Sequence, residues 1–332
     1  MGLEPVDDQG IAIAAKDTIP PESSLHRMTK IPTIHPGANE WISSLANPGH
    51  DAPFVVYPAA SALTDRSLHL AIPEGLLRQP LEEYQSRDPY PIPACADREG
   101  YHGERHFDWW CSGLVDYLKV CEVAEKHRRP LTGNDRIFEF GCASGRVLRH
   151  FSAQNPGFDV WGSDISLRHV EWVRQHLNAG IKIFQNTVLP HLPMADNSCA
   201  LFCAFSVFSH IDEFEMAWLA EVRRVLQPGG LAYLTIHGEN TWKNMKPEWP
   251  IHHTLMRLKD QILTYKIDAA LFAGPLPRDK TVFRWLSAKN YNTNVFHTND
   301  YIRNAWGRFL EVVEIIPAGH NYQDVVVLRK AP

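Results

Sequence analysis

The sequence predicts an α/β fold in which helices alternate with the strands of a mostly parallel sheet and pack on both of its faces. Three observations carry that prediction. Residues 137–145, Ile-Phe-Glu-Phe-Gly-Cys-Ala-Ser-Gly, read as an apolar strand running into a turn with glycine at each end. A second short strand closes on Asp164, about 20 residues beyond Gly145, the interval a strand-helix-strand unit needs. A helical stretch over 211–225 then stops at Pro228-Gly229-Gly230 and yields to an apolar strand that reaches His237.

The glycine loop is the element with chemistry in it. Glycine reaches positive φ and lets a ligand approach the backbone, and a helix beginning near Gly145 aims unpaired N–H groups at whatever the loop holds. Dinucleotides and S-adenosylmethionine both bind at the carboxyl edge of such a sheet. A dinucleotide fingerprint asks for G-x-G-x-x-G, whereas this loop offers Gly141, Ala143 and Gly145, followed by Arg146, Val147 and Leu148. The third glycine is missing. The loop resembles the E/D-x-G-x-x-x-G first motif of class I S-adenosylmethionine-dependent methyltransferases, with Ala143 where many members have glycine.

The following elements fit the same unit. Residues 158–166 form the second strand, and the Asp164 carboxylate at its end can accept both hydroxyls of an adenosine ribose; the plain alternative is a residue that ends a strand. Ser166 is placed to cap the next helix, where Leu167, Val170, Val173 and Leu177 recur at helical spacing until Gly180. A third strand over 181–184 leads to Asn186 and Thr187. An amide such as Asn186 can both donate to and accept from an adenine edge, although Asn is also a common turn residue. Leu192-Pro193 turns the chain into a fourth strand that ends at Phe205 and Ser206.

Residues 209–237 strengthen the resemblance. Asp212 with Glu215 makes a capping-box-like start, and Ile211, Phe214, Trp218, Val222 and Val225 fall on one face. The run E-x-x-R-V-L-x-P-G-G is similar to the turn before strand five of class I methyltransferases. Phe-Gly-Cys-Ala-Ser-Gly-Arg-Val-Leu-Arg-His-Phe, Ser-Val-Phe-Ser-His-Ile and Gln323-Asp324-Val-Val-Val-Leu-Arg-Lys resemble a bacterial subgroup often associated with glycosyltransferases. The likeness covers roughly residues 105–330. It implies a Rossmann-like class I methyltransferase fold with a seven-stranded sheet, S-adenosylmethionine as cofactor, and a cofactor site made of Glu139, Gly141, Cys142, Ala143, Gly145, Arg146, Asp164, Ile165, Asn186, Thr187, Phe205 and Ser206. Glu139 would face the methionine ammonium, Asn186 the adenine, and Phe205 and Ser206 the sulfonium, while Arg146, at the start of the first helix, either pairs with the cofactor carboxylate or is a solvated surface charge.

Composition narrows the substrate. The chain has 332 residues, 44% of them hydrophobic, and a net charge of −5, so it can build a large core and has no basic stripe for a phosphate backbone. Phe205-Ser-Val-Phe208 also lacks the N-P-P-Y-like motif of enzymes that methylate amino groups of DNA bases. A nucleic-acid substrate is therefore not expected. No run approaches the ~20 apolar residues of a membrane span, and Glu4, Asp7 and Asp8 stand where a signal peptide would be basic, so a cytoplasmic protein is expected. The six cysteines form no C-x-x-C pair; Cys199 and Cys203 share a face of the predicted fourth strand as core residues rather than metal ligands.

The regions flanking the motifs differ in character. The first hundred residues hold 13 of the 24 prolines, which predicts a Pro-rich N-terminal extension over 1–104, partly ordered, wrapped on the core or mobile. The domain of 105–332 opens with a helix over 107–127, where Trp110, Leu114, Tyr117, Leu118 and Cys121 recur at helical spacing. An insertion at about 239–299 follows strand five, with a helix near 251–262 and the aromatics Trp242, Trp249, Tyr265, Phe272, Phe283, Trp285, Tyr291 and Phe296. Aromatic faces suit sugar rings, but a core is the stronger reading. Strands at 312–316 and 325–328 would complete seven.

The expected reaction is transfer of a methyl group to a small-molecule or glycan acceptor, at a hydroxyl. His210 and His237, at the ends of strands four and five, are the candidate bases, with Asp212 and Glu239 as weaker ones; the plain alternatives are that His210 anchors a helix start and His237 packs against the lid. An NAD(P)-dependent oxidoreductase and a noncatalytic adenosyl-binding protein are the alternatives. Sequence leaves the oligomeric state open.

Overall fold

The structure, a computed structural model, describes residues 45–47, 49, 52–65, 68–98, 101–127, 130–268, 270–285 and 292–332. The expectations for residues 1–44 of the extension and for Tyr291 lie outside the described residues. Seven strands form the central sheet: β1 Arg136–Phe140, β2 Asp159–Asp164, β3 Lys182–Gln185, β4 Cys199–Ala204, β5 Leu226–Ile236, β6 Glu311–His320 and β7 Gln323–Arg329. Their spatial order is β3-β2-β1-β4-β5-β7-β6. β1 to β5 run parallel, and β7 lies antiparallel between β5 and β6. The carboxyl ends of β1 to β6 therefore share one edge with the start of β7. This is the seven-stranded, mostly parallel sheet that the sequence predicts.

The helices are α1 His106–His127, α2 Leu148–Gln154, α3 Leu167–His176, α4 Glu215–Val225, α5 Glu239–Lys243, α6 Pro250–Arg257 and α7 Asn299–Ala305. Strand side chains alternate between two cores, as a period of two requires. Ile137, Leu201 and Tyr233 join residues of α1, α2 and α3, while Phe138, Phe202 and Leu234 join residues of α4 and α7. Cys199 and Cys203 are split between these cores, contrary to the shared face expected of positions four apart. The β4–β5 register shifts between Cys199 and Leu201, so the regular alternation of faces is interrupted beside Cys199.

Helix starts depart from the sequence reading in three places. α4 has no side-chain cap: Phe214 sits before it at φ 61°, 49% exposed rather than buried, and Asp212 pairs instead with Lys280 and Arg284. Two cations in the insertion hold that carboxylate away from the helix terminus. Ser166 precedes α3 without a capping bond from its side chain. α2 begins at Leu148 rather than near Gly145, because the loop continues in turns through Val147.

The described part of the extension is packed. Helices Ala59–Ala62 and Leu81–Ser86 and the ribbon of Val56–Tyr57 with Ile92–Pro93 place Leu63, Tyr84 and Ile92 in the same core as Trp110 and Phe151. The insertion has a core of its own, built on Trp242, Ile251, Leu255, Phe283 and Phe296 beneath the ribbon of Lys280–Arg284 with Thr293–His297. Most of its aromatics are thus packing residues. Among the described residues no helix is long and apolar enough to cross a membrane.

Candidate active site

The carboxyl edge of the sheet collects the residues singled out from sequence. β1 carries Glu139 and leads to Gly141, β2 ends at Asp164, β3 precedes Asn186, β4 precedes Phe205 and Ser206, and β5 precedes His237. Gly141 and Gly145 have φ of 72° and 83°, and a Cβ on either would come within 2.4 Å of Val207 or 2.6 Å of Leu177. Ala143 adopts φ 46°, so the departure from glycine is accommodated in a left-handed conformation. Its N–H donates to Asp164 Oδ2 at 2.8 Å, while the N–H groups of Gly141 and Cys142 donate to Ser163 O at 2.8 and 3.0 Å. The Cys142 side chain is buried. The loop is thus held by β2 before any ligand arrives.

Asp164 is a hub of that loop. Oδ1 accepts the Ser166 N–H at 2.8 Å and faces His169 Nδ1 at 3.3 Å. Each carboxylate oxygen can accept more than one bond, so a hydroxyl pair can share it with these partners.

Glu139 Oε2 and Asn186 Oδ1 are among the buried acceptors that have no hydrogen-bond partner among the described residues. Glu139 is 2% exposed, and burial pushes its carboxyl well above the usual range; Arg146 opposes the shift, and Asp116 and Asp164 add to it. A buried carboxyl in that state fits an incoming cation such as an ammonium. Asn186 Nδ2 donates to Thr187 O at 3.1 Å, which leaves its carbonyl for a donor such as an exocyclic amine. Ile165 is half-buried, and its carbonyl accepts the Asn47 N–H and Gln185 Nε2, each at 2.9 Å.

Arg146 is engaged by protein. Its Nη1 donates to Asp116 Oδ2 at 2.6 Å and to Ser112 Oγ at 3.2 Å, both on α1, and its guanidinium lies 5.9 Å from the Phe205 ring. The other Asp116 oxygen meets His320 Nδ1 at 2.9 Å, and His320 packs on Phe205 at 5.3 Å. Burial works against the Asp116 charge, but His320 and Arg146 outweigh it and hold its pKa below the usual range.

The two candidate bases differ in state. His210 Nδ1 lies 2.7 Å from Thr293 O, so Nδ1 carries the proton and the ring lone pair resides on Nε2. Burial lowers its pKa, opposed by the bond to Thr293. His237 is 2% exposed, and burial, with His210 and His297 nearby, keeps it neutral. Gln323 fixes its tautomer. Gln323 Oε1 accepts the Ser206 hydroxyl at 3.0 Å, so its Nε2 donates to His237 Nε2 at 3.2 Å. The His237 ring stacks on Tyr322 at 6.1 Å, and Tyr322 stacks on half-buried Trp249 at 5.2 Å. Asp212 and Glu239 serve as anchors, the first to Lys280 and Arg284 and the second to Asn299 N at 2.9 Å.

Sequence reasoning missed Asp116, His320 and the side chain of Gln323. Asp116 sits on α1 with no local motif, and its proximity to Arg146 and His320 exists only after folding. A cleft of about 280 Å³ lined by Arg78, Tyr84, Tyr117 and Gln154 lies along the later part of α1, among residues unrelated to this edge.

Residues 137–230 match a family described as a methyltransferase domain. The solved structures similar to this chain include a SAM-dependent methyltransferase from Methanosarcina mazei, 18% identical, with a TM-score of 0.43 over 63% of this chain and 97% of that one. Another is an S-adenosylmethionine-dependent methyltransferase from Mesorhizobium loti, 18% identical, with a TM-score of 0.44 over 60% and 93%. A third, geranyl diphosphate C-methyltransferase from Streptomyces coelicolor, is 10% identical, with a TM-score of 0.41 over 64% and 75%. No curated protein sequence matches the chain. Residues 137–230 thus match a methyltransferase domain around the glycine loop, in a sheet whose strand order β3-β2-β1-β4-β5-β7-β6 is that of the Rossmann-like class I methyltransferase fold.

Proposed function

We propose that the protein transfers the methyl group of S-adenosylmethionine to a hydroxyl of a small-molecule or glycan acceptor. The observation that supports the hydroxyl is His210, in the loop after β4, held through Nδ1 by Thr293 O and beside the His237 ring. The cofactor supplies an electrophilic sulfonium methyl group. In this reading Glu139 takes the ammonium, Asp164 the ribose hydroxyls and Asn186 the adenine amine. The loop of Gly141, Cys142, Ala143 and Gly145 lies against the cofactor, and Arg146, held by Asp116, directs its charge at the carboxylate. Ile165 and Thr187 contribute backbone, and Phe205 and Ser206 flank the methyl group.

His210 accepts the acceptor proton, and His237, whose Nε2 is bonded to Gln323, holds the floor of the site. Positioning supplies most of the acceleration in a displacement of this kind. The stacked rings of Trp249 and Tyr322 offer a flat surface beside His237, which suits a sugar or another ring. Residues 1–104 form the extension and 105–332 the catalytic domain, with its insertion at about 239–299 shaping the acceptor side. A cytoplasmic location fits this reading.

The test is methyl transfer from radiolabelled S-adenosylmethionine to nucleotide sugars, oligosaccharides and small alcohols, beside calorimetric titration with S-adenosylhomocysteine, NAD and NADP. Labelled ether products, with His210→Ala slower than wild type and the deficit narrowing at high pH, support the reading. Turnover of NAD(P) instead, or labelling at nitrogen or carbon only, refutes it.

A further inference from the structure

Residues of the extension cross the carboxyl ends of β2 and β3. Asn47 forms a parallel bridge with Ser166: its N–H donates to Ile165 O at 2.9 Å, and its carbonyl accepts the Leu167 N–H at 3.1 Å. Leu45 O accepts the Val188 N–H at 2.7 Å. Gln185, the last residue of β3, clamps the crossing, because its Nε2 donates to Asn47 O and to Ile165 O, each at 2.9 Å. Farther on, Arg168 Nη1 donates to Ala52 O at 2.6 Å and lies over Phe54 at 4.2 Å, and Phe54 meets Trp172 edge-on at 5.3 Å. The chain is thereby fastened along α3 as well.

These contacts fall beside Asp164 and Asn186. Ile165 directly follows the proposed ribose carboxylate, and Val188 is two residues beyond the proposed adenine amide. In an open α/β sheet the ligand lies outside the carboxyl ends of the strands, so a segment paired to the backbone there bounds the ligand's space. Pairing of this type uses main-chain groups and fixes position to within a few tenths of an ångström.

We infer that Leu45 and Asn47 form a wall of the adenosine end of the cofactor site, so that the N-terminal extension is part of the site. The inference rests on the cofactor assignment and on the proposed roles of Asp164 and Asn186. It also accounts for Gln185 Nε2 joining the extension at Asn47 O to the end of β2 at Ile165 O.

The experiment compares S-adenosylhomocysteine and 5′-methylthioadenosine, which lacks the amino-acid part, by calorimetry on full-length protein. Asn47→Pro removes the N–H donated to Ile165, and Gln185→Leu removes the clamp. Each is expected to weaken both ligands about tenfold, the scale of one lost hydrogen bond. Gln185→Leu leaves the backbone intact and tests the wall even where Asn47→Pro impairs folding. If both variants melt at lower temperature but bind both ligands as wild type does, the crossing only braces the fold and the wall is refuted. If wild type binds neither ligand, the cofactor assignment fails and the wall with it.

Discussion

Asp88 and Arg149 form an ion pair in which both side chains are fully buried, with Arg149 Nε 2.6 Å and Nη2 2.8 Å from the two carboxylate oxygens. Asp88 belongs to the extension and Arg149 to the helix after the glycine loop. Trp110 Nε1 completes the set from α1, donating to Asp88 Oδ2 at 2.8 Å, and the carbonyls of Tyr90 and Pro91 take further Arg149 donors. Every charge is matched by geometry, which a buried pair needs if it is not to destabilise the fold.

Replacing Asp88 by Ala leaves the Arg149 charge buried without its carboxylate. Denaturant unfolding should show a loss of about 3–5 kcal/mol. A loss within the range of a surface substitution would mean that this part of the extension is not integral to the domain.

With Glu139 facing the cofactor ammonium as proposed, cofactor binding depends on pH. The Glu139 carboxyl pKa is raised by burial, so the protonated form prevails in the free site over a wider pH range than for an exposed Glu. An ammonium stabilises the ionised form, so binding releases a proton and affinity rises with pH. Calorimetry in buffers of different ionisation enthalpy should reveal that proton. Glu139→Gln should weaken S-adenosylmethionine binding without lowering the stability of the free protein, since Gln, like the protonated carboxyl, brings no charge into the buried site.

Glu215 ties the insertion to α4. Its carboxylate accepts His297 Nε2 at 2.6 Å, Tyr301 Oη at 2.8 Å, Lys280 Nζ at 2.9 Å and Trp306 Nε1 at 3.2 Å. Burial alone would raise its pKa, but the bonds from His297 and Lys280 prevail and bring it down to about 2. The folded-state value is depressed, so the stabilisation is present above the ordinary value of 4.5 and is lost as pH falls toward 2. Melting curves between those limits should decline more steeply for wild type than for Glu215→Gln.

Ala143 occupies a left-handed conformation at φ 46°. Glycine there removes a cost of about 1–2 kcal/mol, partly offset by the greater freedom of the unfolded chain. Ala143→Gly should hold or raise the melting temperature and retain cofactor binding. Gly141→Ala should lower both, because its Cβ would lie 2.4 Å from Val207 at φ 72°. A destabilised Ala143→Gly protein would show that the methyl group is needed in the loop.

Much of the site was legible because it is local. Glu139, Gly141 and Gly145 lie within one strand and turn, and Asp164 ends the next strand, so chain connectivity alone delivers them to one sheet edge. The pairing of Arg146 was not legible, since Asp116 comes from a helix 30 residues away and His320 from 204 residues beyond Asp116. Phe214 failed for a related reason: Lys280 and Arg284, far along the chain, draw Asp212 away from the helix start that its spacing suggests.

The sequence by itself determined the parallel sheet, the glycine loop and the carboxyl edge on which the candidate residues gather, because apolar periodicity and turn residues act over a few positions. Only the tertiary structure decided what surrounds that edge. The extension lacks sustained periodicity, and its place is set by Asp88 meeting Arg149 and by Asn47 meeting Ile165, contacts between distant residues. The states of His210 and His237 likewise follow from Thr293 and Gln323, since a histidine's tautomer depends on the partner its ring finds in the folded protein.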